Sequence, residues 1–76
     1  MEVYKNKNGD SGITHFELGE DHIQIKFQGK PWRYLYSDEL NGKSHIDKMK
    51  VLAREGKGLG TYISQHPEVR DHFEKR

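Results

Sequence analysis

Hydrophobic residues along this chain recur first at a spacing of two and then at helical spacing, and the change of rhythm divides the fold. From His22 to Gln28, Ile23, Ile25 and Phe27 alternate with His22, Gln24, Lys26 and Gln28, the pattern of a half-buried β-strand. Ile13 to Leu18 reads as the preceding strand, with Phe16 and Leu18 pointing one way. Trp32-Arg33-Tyr34-Leu35-Tyr36 reads as the following one, with the three aromatics on one face and Arg33 and Leu35 on the other. Gly19-Glu20-Asp21 and Gln28-Gly29-Lys30-Pro31 are turn sequences. Short antiparallel connections of this kind predict a three-stranded meander.

After Ser37 the rhythm changes. Ser37-Asp38-Glu39-Leu40 predicts a capped helical turn that Asn41-Gly42 breaks. From Lys43 to Glu55, Ile46, Met49, Leu52 and Ala53 make one helical stripe. Asn41 or Ser44 is a candidate cap at its start, and Gly56 suits the left-handed position past its end. A tight connector, 57–60, leads to a helical turn over 61–65. Pro67 then opens a terminal helix with Val69 and Phe73 facing inward. A sheet with one apolar face needs a cover, which the 43–55 stripe can supply. The expected fold is therefore α+β, a three-stranded antiparallel β-meander followed by two or three helices packed on one face. Residues 1–11 are expected to form a flexible N-terminal arm or an edge strand at Val3-Tyr4, and 12–76 a single small domain.

Composition narrows the class. The chain has 76 residues, room for one small core, and only 32% of them are hydrophobic. Their clustering at strand and helix spacings still argues for a folded protein. With no cysteine, neither a disulfide nor a thiolate metal site supplements the core. No apolar run approaches the ~20 residues of a membrane span, and Met1 to Lys5 lacks the apolar stretch of a secretory signal. A cytoplasmic protein without a membrane partner is the expectation. The formal net charge is only +1, but cations and acids are segregated. Lys26, Lys30 and Arg33 occupy an acid-free stretch, and Lys43, Lys48, Lys50, Arg54 and Lys57 outnumber Asp47 and Glu55. Two basic segments that converge would suit an anionic partner, whereas scattered surface charge would mean solubility alone.

The aromatic strand admits two roles. Exposed aromatics beside a basic groove stack the bases of single-stranded nucleic acid, at about 1–3 kcal/mol per base. A chain with few large apolar residues can equally use Trp32, Tyr34 and Tyr36 as core beside Ile23, Ile25 and Phe27. Gly56-Lys57-Gly58-Leu59-Gly60-Thr61 matches neither the phosphate-loop nor the dinucleotide spacing. Its glycines fit a helix cap and tight turn, or an anion nest beside Lys57. The five histidines show no metal-ligand spacing, so no metal or other cofactor is expected. No serine lies in a nucleophile elbow and no thiol is present, which points away from an enzyme.

Tyr34-Leu35-Tyr36, the strand and glycine turn before it, and Gly58-Leu59-Gly60-Thr61-Tyr62-Ile63 give the chain a further likeness. Over roughly residues 11–66 it resembles the KTSC domain, a small bacterial domain found at the C-terminus of some lysyl-tRNA synthetases and also alone. Ser37-Asp38-Glu39-Leu40 stands where that family has a Val-Pro step. Association with a tRNA-charging enzyme implies RNA as a partner. The combined expectation is a non-enzymatic module binding RNA or another single strand. Lys26, Lys30, Arg33, Lys43 and Lys57 would contact phosphates, and Tyr34 or Tyr36 would stack bases. The alternative is a protein-interaction or accessory domain, docking partners through open sheet edges.

Overall fold

The computed structural model describes residues 1–9 and 12–76. The fold is α+β, and its antiparallel sheet has five strands in chain order rather than three. These are β1 (Glu2–Val3), β2 (Ile13–Leu18), β3 (His22–Phe27), β4 (Arg33–Ser37) and β5 (Glu74–Lys75). The expected meander is the centre of this sheet. Its two edges are strands of two residues each, too short to carry any alternation in sequence.

Four helices follow the meander: α1 (Asp38–Asn41), α2 (Lys43–Glu55), α3 (Leu59–Gln65) and α4 (Pro67–Arg70). The expected two or three become four because α1 and α4 are single turns. The Ser37 hydroxyl caps α1 by accepting from the Leu40 N–H at 3.2 Å. Gly42, at φ +93°, then redirects the chain and serves as N-cap of α2, the place expected of Asn41 or Ser44. Gly56 closes α2 in the left-handed conformation, its N–H donating to Leu52 and Ala53 carbonyls. Any Cβ there would lie 2.6 Å from Cβ of Lys5, so both backbone and space demand glycine. Pro67 opens α4 as expected, but that helix stops at Arg70, and Phe73 packs from the segment leading into β5. None of the described helices is long and apolar enough to cross a membrane.

Ile23, Ile25 and Tyr36 from the sheet meet Ile46, Met49 and Ala53 of α2, with Leu59, Ile63 and Val69 closing the core. Ile13 and Phe16 are both buried although three residues apart. A β-bulge explains this: Ile13 opposes Phe27 and His15 opposes Lys26, so one extra residue, Thr14, resets the alternation. Both chain ends are tied to the core. The Tyr4 hydroxyl accepts from the Leu59 N–H at 3.2 Å, joining the N-terminal segment to the start of α3. The buried Asn41 amide accepts from the Ser37 N–H at 3.1 Å and donates to the carbonyls of Glu68 (3.2 Å) and His72 (2.8 Å).

Asn41→Asp keeps the acceptor for Ser37 but turns an anionic oxygen toward two carbonyls that need a donor. We expect a loss of about 2–4 kcal/mol in urea denaturation at neutral pH, with hydrogen exchange accelerating most over residues 72–76. A loss under about 0.5 kcal/mol would contradict this role for Asn41.

Candidate nucleic-acid interface

Strand alternation gives the sheet two chemically distinct faces, and the register decides which residues share them. Ile25 opposes Phe16 on one side and Tyr34 on the other, while Ile23 opposes Leu18 and Tyr36. These residues form the face that the helices cover. On the opposite face lie His15, Glu17, Gln24, Lys26, Arg33 and Leu35, all exposed or half-buried, with no covering element among the described residues.

That open face is organised in rows across the strands. His15 opposes Lys26, and Lys26 opposes Arg33. Arg33 and Arg76 exchange both backbone hydrogen bonds at 2.9 Å, so Arg76 sits opposite Arg33. Three permanent cations and an imidazole thus line up across four strands. With strands about 4.8 Å apart, the row is roughly 15 Å long. The next row is Glu17, Gln24, Leu35 and Glu74. Its acids are partly neutralised: Glu74 accepts from Arg76 at 2.9 Å, and Glu17 lies 3.9 Å from the N-terminal ammonium. Lys26 and Arg33 have no carboxylate within ion-pair distance among the described residues. Like charges directly opposite on a sheet disfavour it unless an anion lies between them.

The other expected site residues divide over the molecule. Lys30 is exposed in the turn that joins the strands of Lys26 and Arg33. Tyr34 is on the covered face, stacked on Phe73 at 4.4 Å and edge-on to Phe27 at 4.8 Å. Tyr36 is 1% exposed and presents no ring face to solvent. Neither tyrosine therefore shares a surface with Lys26 and Arg33, because the register aligns both with Ile23 and Ile25. Lys43 begins α2 and pairs with Asp47 at 3.0 Å. Lys57 lies in the α2–α3 connection, on the helical side. Trp32 is half-buried outside β4, with the Lys75 ammonium 4.3 Å from the centre of its ring. Its indole N–H is buried and has no hydrogen-bond partner among the described residues.

Sequence reasoning missed His15 and Arg76 as members of the row. Nothing short of the cross-strand register reveals them, since the alternation within a strand is silent about the neighbouring strand's phase. It also missed a polar cluster that joins three helices. His45 Nδ1 is 2.6 Å from the Tyr62 hydroxyl and its Nε2 is 3.1 Å from Glu68, while His66 Nδ1 is 2.7 Å from the Tyr62 carbonyl. Burial first, then the charge of Glu68, raises the Tyr62 pKa, so the phenol stays protonated. No group of three or more His, Cys, Asp or Glu side chains is placed to hold a metal among the described residues.

No family model matches the chain, and neither a curated protein nor a solved structure does. The likeness to the KTSC domain therefore rests on the residues quoted for it.

Burial, and secondarily the neighbouring Tyr34, raises the Tyr36 pKa far above the ordinary phenol value. The folded state keeps Tyr36 protonated where the unfolded chain would ionise it, so its contribution is complete below about pH 10 and is lost as pH climbs above that. Tyr36→Phe should thus move the alkaline unfolding midpoint to higher pH, followed by circular dichroism. An unchanged midpoint would contradict the buried phenol.

Proposed function

We propose that this protein is a small, non-enzymatic cytoplasmic module that binds single-stranded nucleic acid, with RNA the first polymer to test. The observation that carries the reading is the row of His15, Lys26, Arg33 and Arg76 across an uncovered sheet face. Its two central members are cations without a carboxylate partner among the described residues, each the other's cross-strand neighbour. A phosphodiester backbone laid along the row would relieve that repulsion and release its own counterions. Lys30 would extend the contact from the adjacent turn. Among the described residues, Leu35 is the sole large apolar side chain at the centre of this face, with the exposed Val3 at its edge opposite His15 and no aromatic beside them. Contacts of this kind position a backbone without reading bases, so weak sequence preference follows. Lys43 and Lys57 fall outside this surface. The likeness to the KTSC domain, with its link to tRNA charging, is why RNA comes first. The rival reading, a protein-docking face centred on Leu35, predicts binding that salt leaves unchanged.

Three or four neutralised phosphates imply that affinity for a labelled single-stranded RNA falls about 20- to 50-fold between 50 and 200 mM salt. Lys26→Ala with Arg33→Ala should reduce the slope of log affinity against log salt by about 1.4, read by fluorescence anisotropy, while Lys43→Ala leaves it alone. Salt-independent affinity, or a double variant that binds as wild type, would sink the proposal.

A further inference from the structure

Charge on the open sheet face is divided along the strands as well as arranged across them. Beyond the cation row and the row of Glu17, Gln24, Leu35 and Glu74 comes a third, in which His22 opposes Ser37. The exposed Asp21 lies 3.2 Å from the His22 ring, and the exposed Glu39 follows Ser37 in the first turn of α1. Asp21, His22, Ser37 and Glu39 line a hollow of about 310 Å³ together with Glu74 and Arg76. Among the described residues, three carboxylates thus share that hollow with one permanent cation. Same-face residues are about 7 Å apart along a strand, so this acidic end lies roughly 14 Å from Lys26 and Arg33.

A face with opposite charge at its two ends is complementary to itself. Two copies can stack through it about a two-fold axis that lies in the interface and runs across the strands. Such an axis reverses the strand direction of one copy relative to the other. Placed along the middle row, it sets Lys26 and Arg33 of each copy over Asp21, His22, Ser37 and Glu39 of the other. Stacked sheets lie about 10 Å apart, a gap that Lys and Arg side chains can cross to enter the hollow. Leu35 then meets its own counterpart beside the axis, which removes both side chains from water. An axis along the strands would instead set cation row on cation row, which repulsion of like charges opposes. Glu17 and Glu74 fall at the ends of the middle row, and Glu74 is already engaged by Arg76 at 2.9 Å. A formal net charge of only +1 leaves little overall repulsion between copies.

We propose that a second copy of this chain docks on the open sheet face, basic end over acidic end, as a symmetric dimer. A face of four short strands is smaller than a standard protein interface, so the dimer is weak and exchanges readily. The inference goes beyond single-strand binding, and it makes a strand and a second copy competitors for one surface. Its test needs no nucleic acid, so it stands or fails apart from that reading. In sedimentation equilibrium at low salt, the weight-average mass should rise from one chain toward two as concentration approaches about 1 mM. Salt at about 0.5 M should return it to one chain. Amide shifts of labelled protein on dilution should localise to Gln24, Lys26, Arg33, Leu35 and Ser37. Lys26→Glu with Arg33→Glu should abolish self-association, as should Asp21→Lys with Glu39→Lys in a separate protein. An equimolar mixture of the two variants should associate again, because each reversed end then meets its opposite. Where circular dichroism shows a variant unfolded, the dilution map of the wild-type chain decides. The inference is overturned by a wild-type chain that stays monomeric throughout, by dilution shifts centred on the helices, or by folded variants whose mixture fails to associate.

Discussion

The side-chain amide of Asn41 is the constraint on which the C-terminal part of the fold depends. Tyrosine phenols apart, it is the sole buried polar side chain among the described residues, and it satisfies three backbone groups from the end of β4, from α4 and from the segment beyond. A buried carbonyl without a donor is costly, so the Glu68 and His72 carbonyls are held where Asn41 can reach them. The chain, which leaves β4 at Ser37, is thereby returned to it at Glu74. Phe73 then stacks on Tyr34, β5 pairs with β4, and Arg76 arrives opposite Arg33. The end of the cation row is thus a product of one amide buried on the other side of the sheet.

A matching constraint acts at the start of the chain. Tyr4 is 3% exposed, packs edge-on to Phe16, and accepts from the N–H that opens α3. The Lys7 N–H donates to the Gly56 carbonyl at 2.7 Å, so the segment passes directly over the end of α2. Gly56 permits that passage by having no side chain. The path leaves Asn6, Asn8, Phe27 and Lys57 around one cavity of about 260 Å³. In a chain with so small an apolar share, both anchored segments have to contribute to the core.

The readable parts of this sequence were those with strong local rhythm. The alternation of Ile23, Ile25 and Phe27 marks β3, and the stripe Ile46, Met49, Ala53 with Gly56 behind it marks α2 to its observed ends. Ser37 and Pro67 announce their helices for equally local reasons. Thr14 was opaque because a bulge breaks the very alternation by which a strand is recognised. Asn41 reads in sequence as a cap or a break, since its partners lie 27 and 31 residues away. The candidate site suffered from the same limit. Lys26, Lys30 and Arg33 are visible as an acid-free cluster, but their separation from Tyr34 and Tyr36 is fixed by cross-strand phase, and Arg76 reaches the row through tertiary contacts alone.

The proposed function requires the sheet's open face to be the binding surface, and mapping a bound strand onto the protein tests that most directly. Amide shifts of labelled protein titrated with a short mixed-sequence single-stranded RNA at low salt should concentrate on His15, Lys26, Arg33, Leu35 and Arg76, leaving the face of α2 quiet. Shifts centred on the helical side, or none at all, would contradict it.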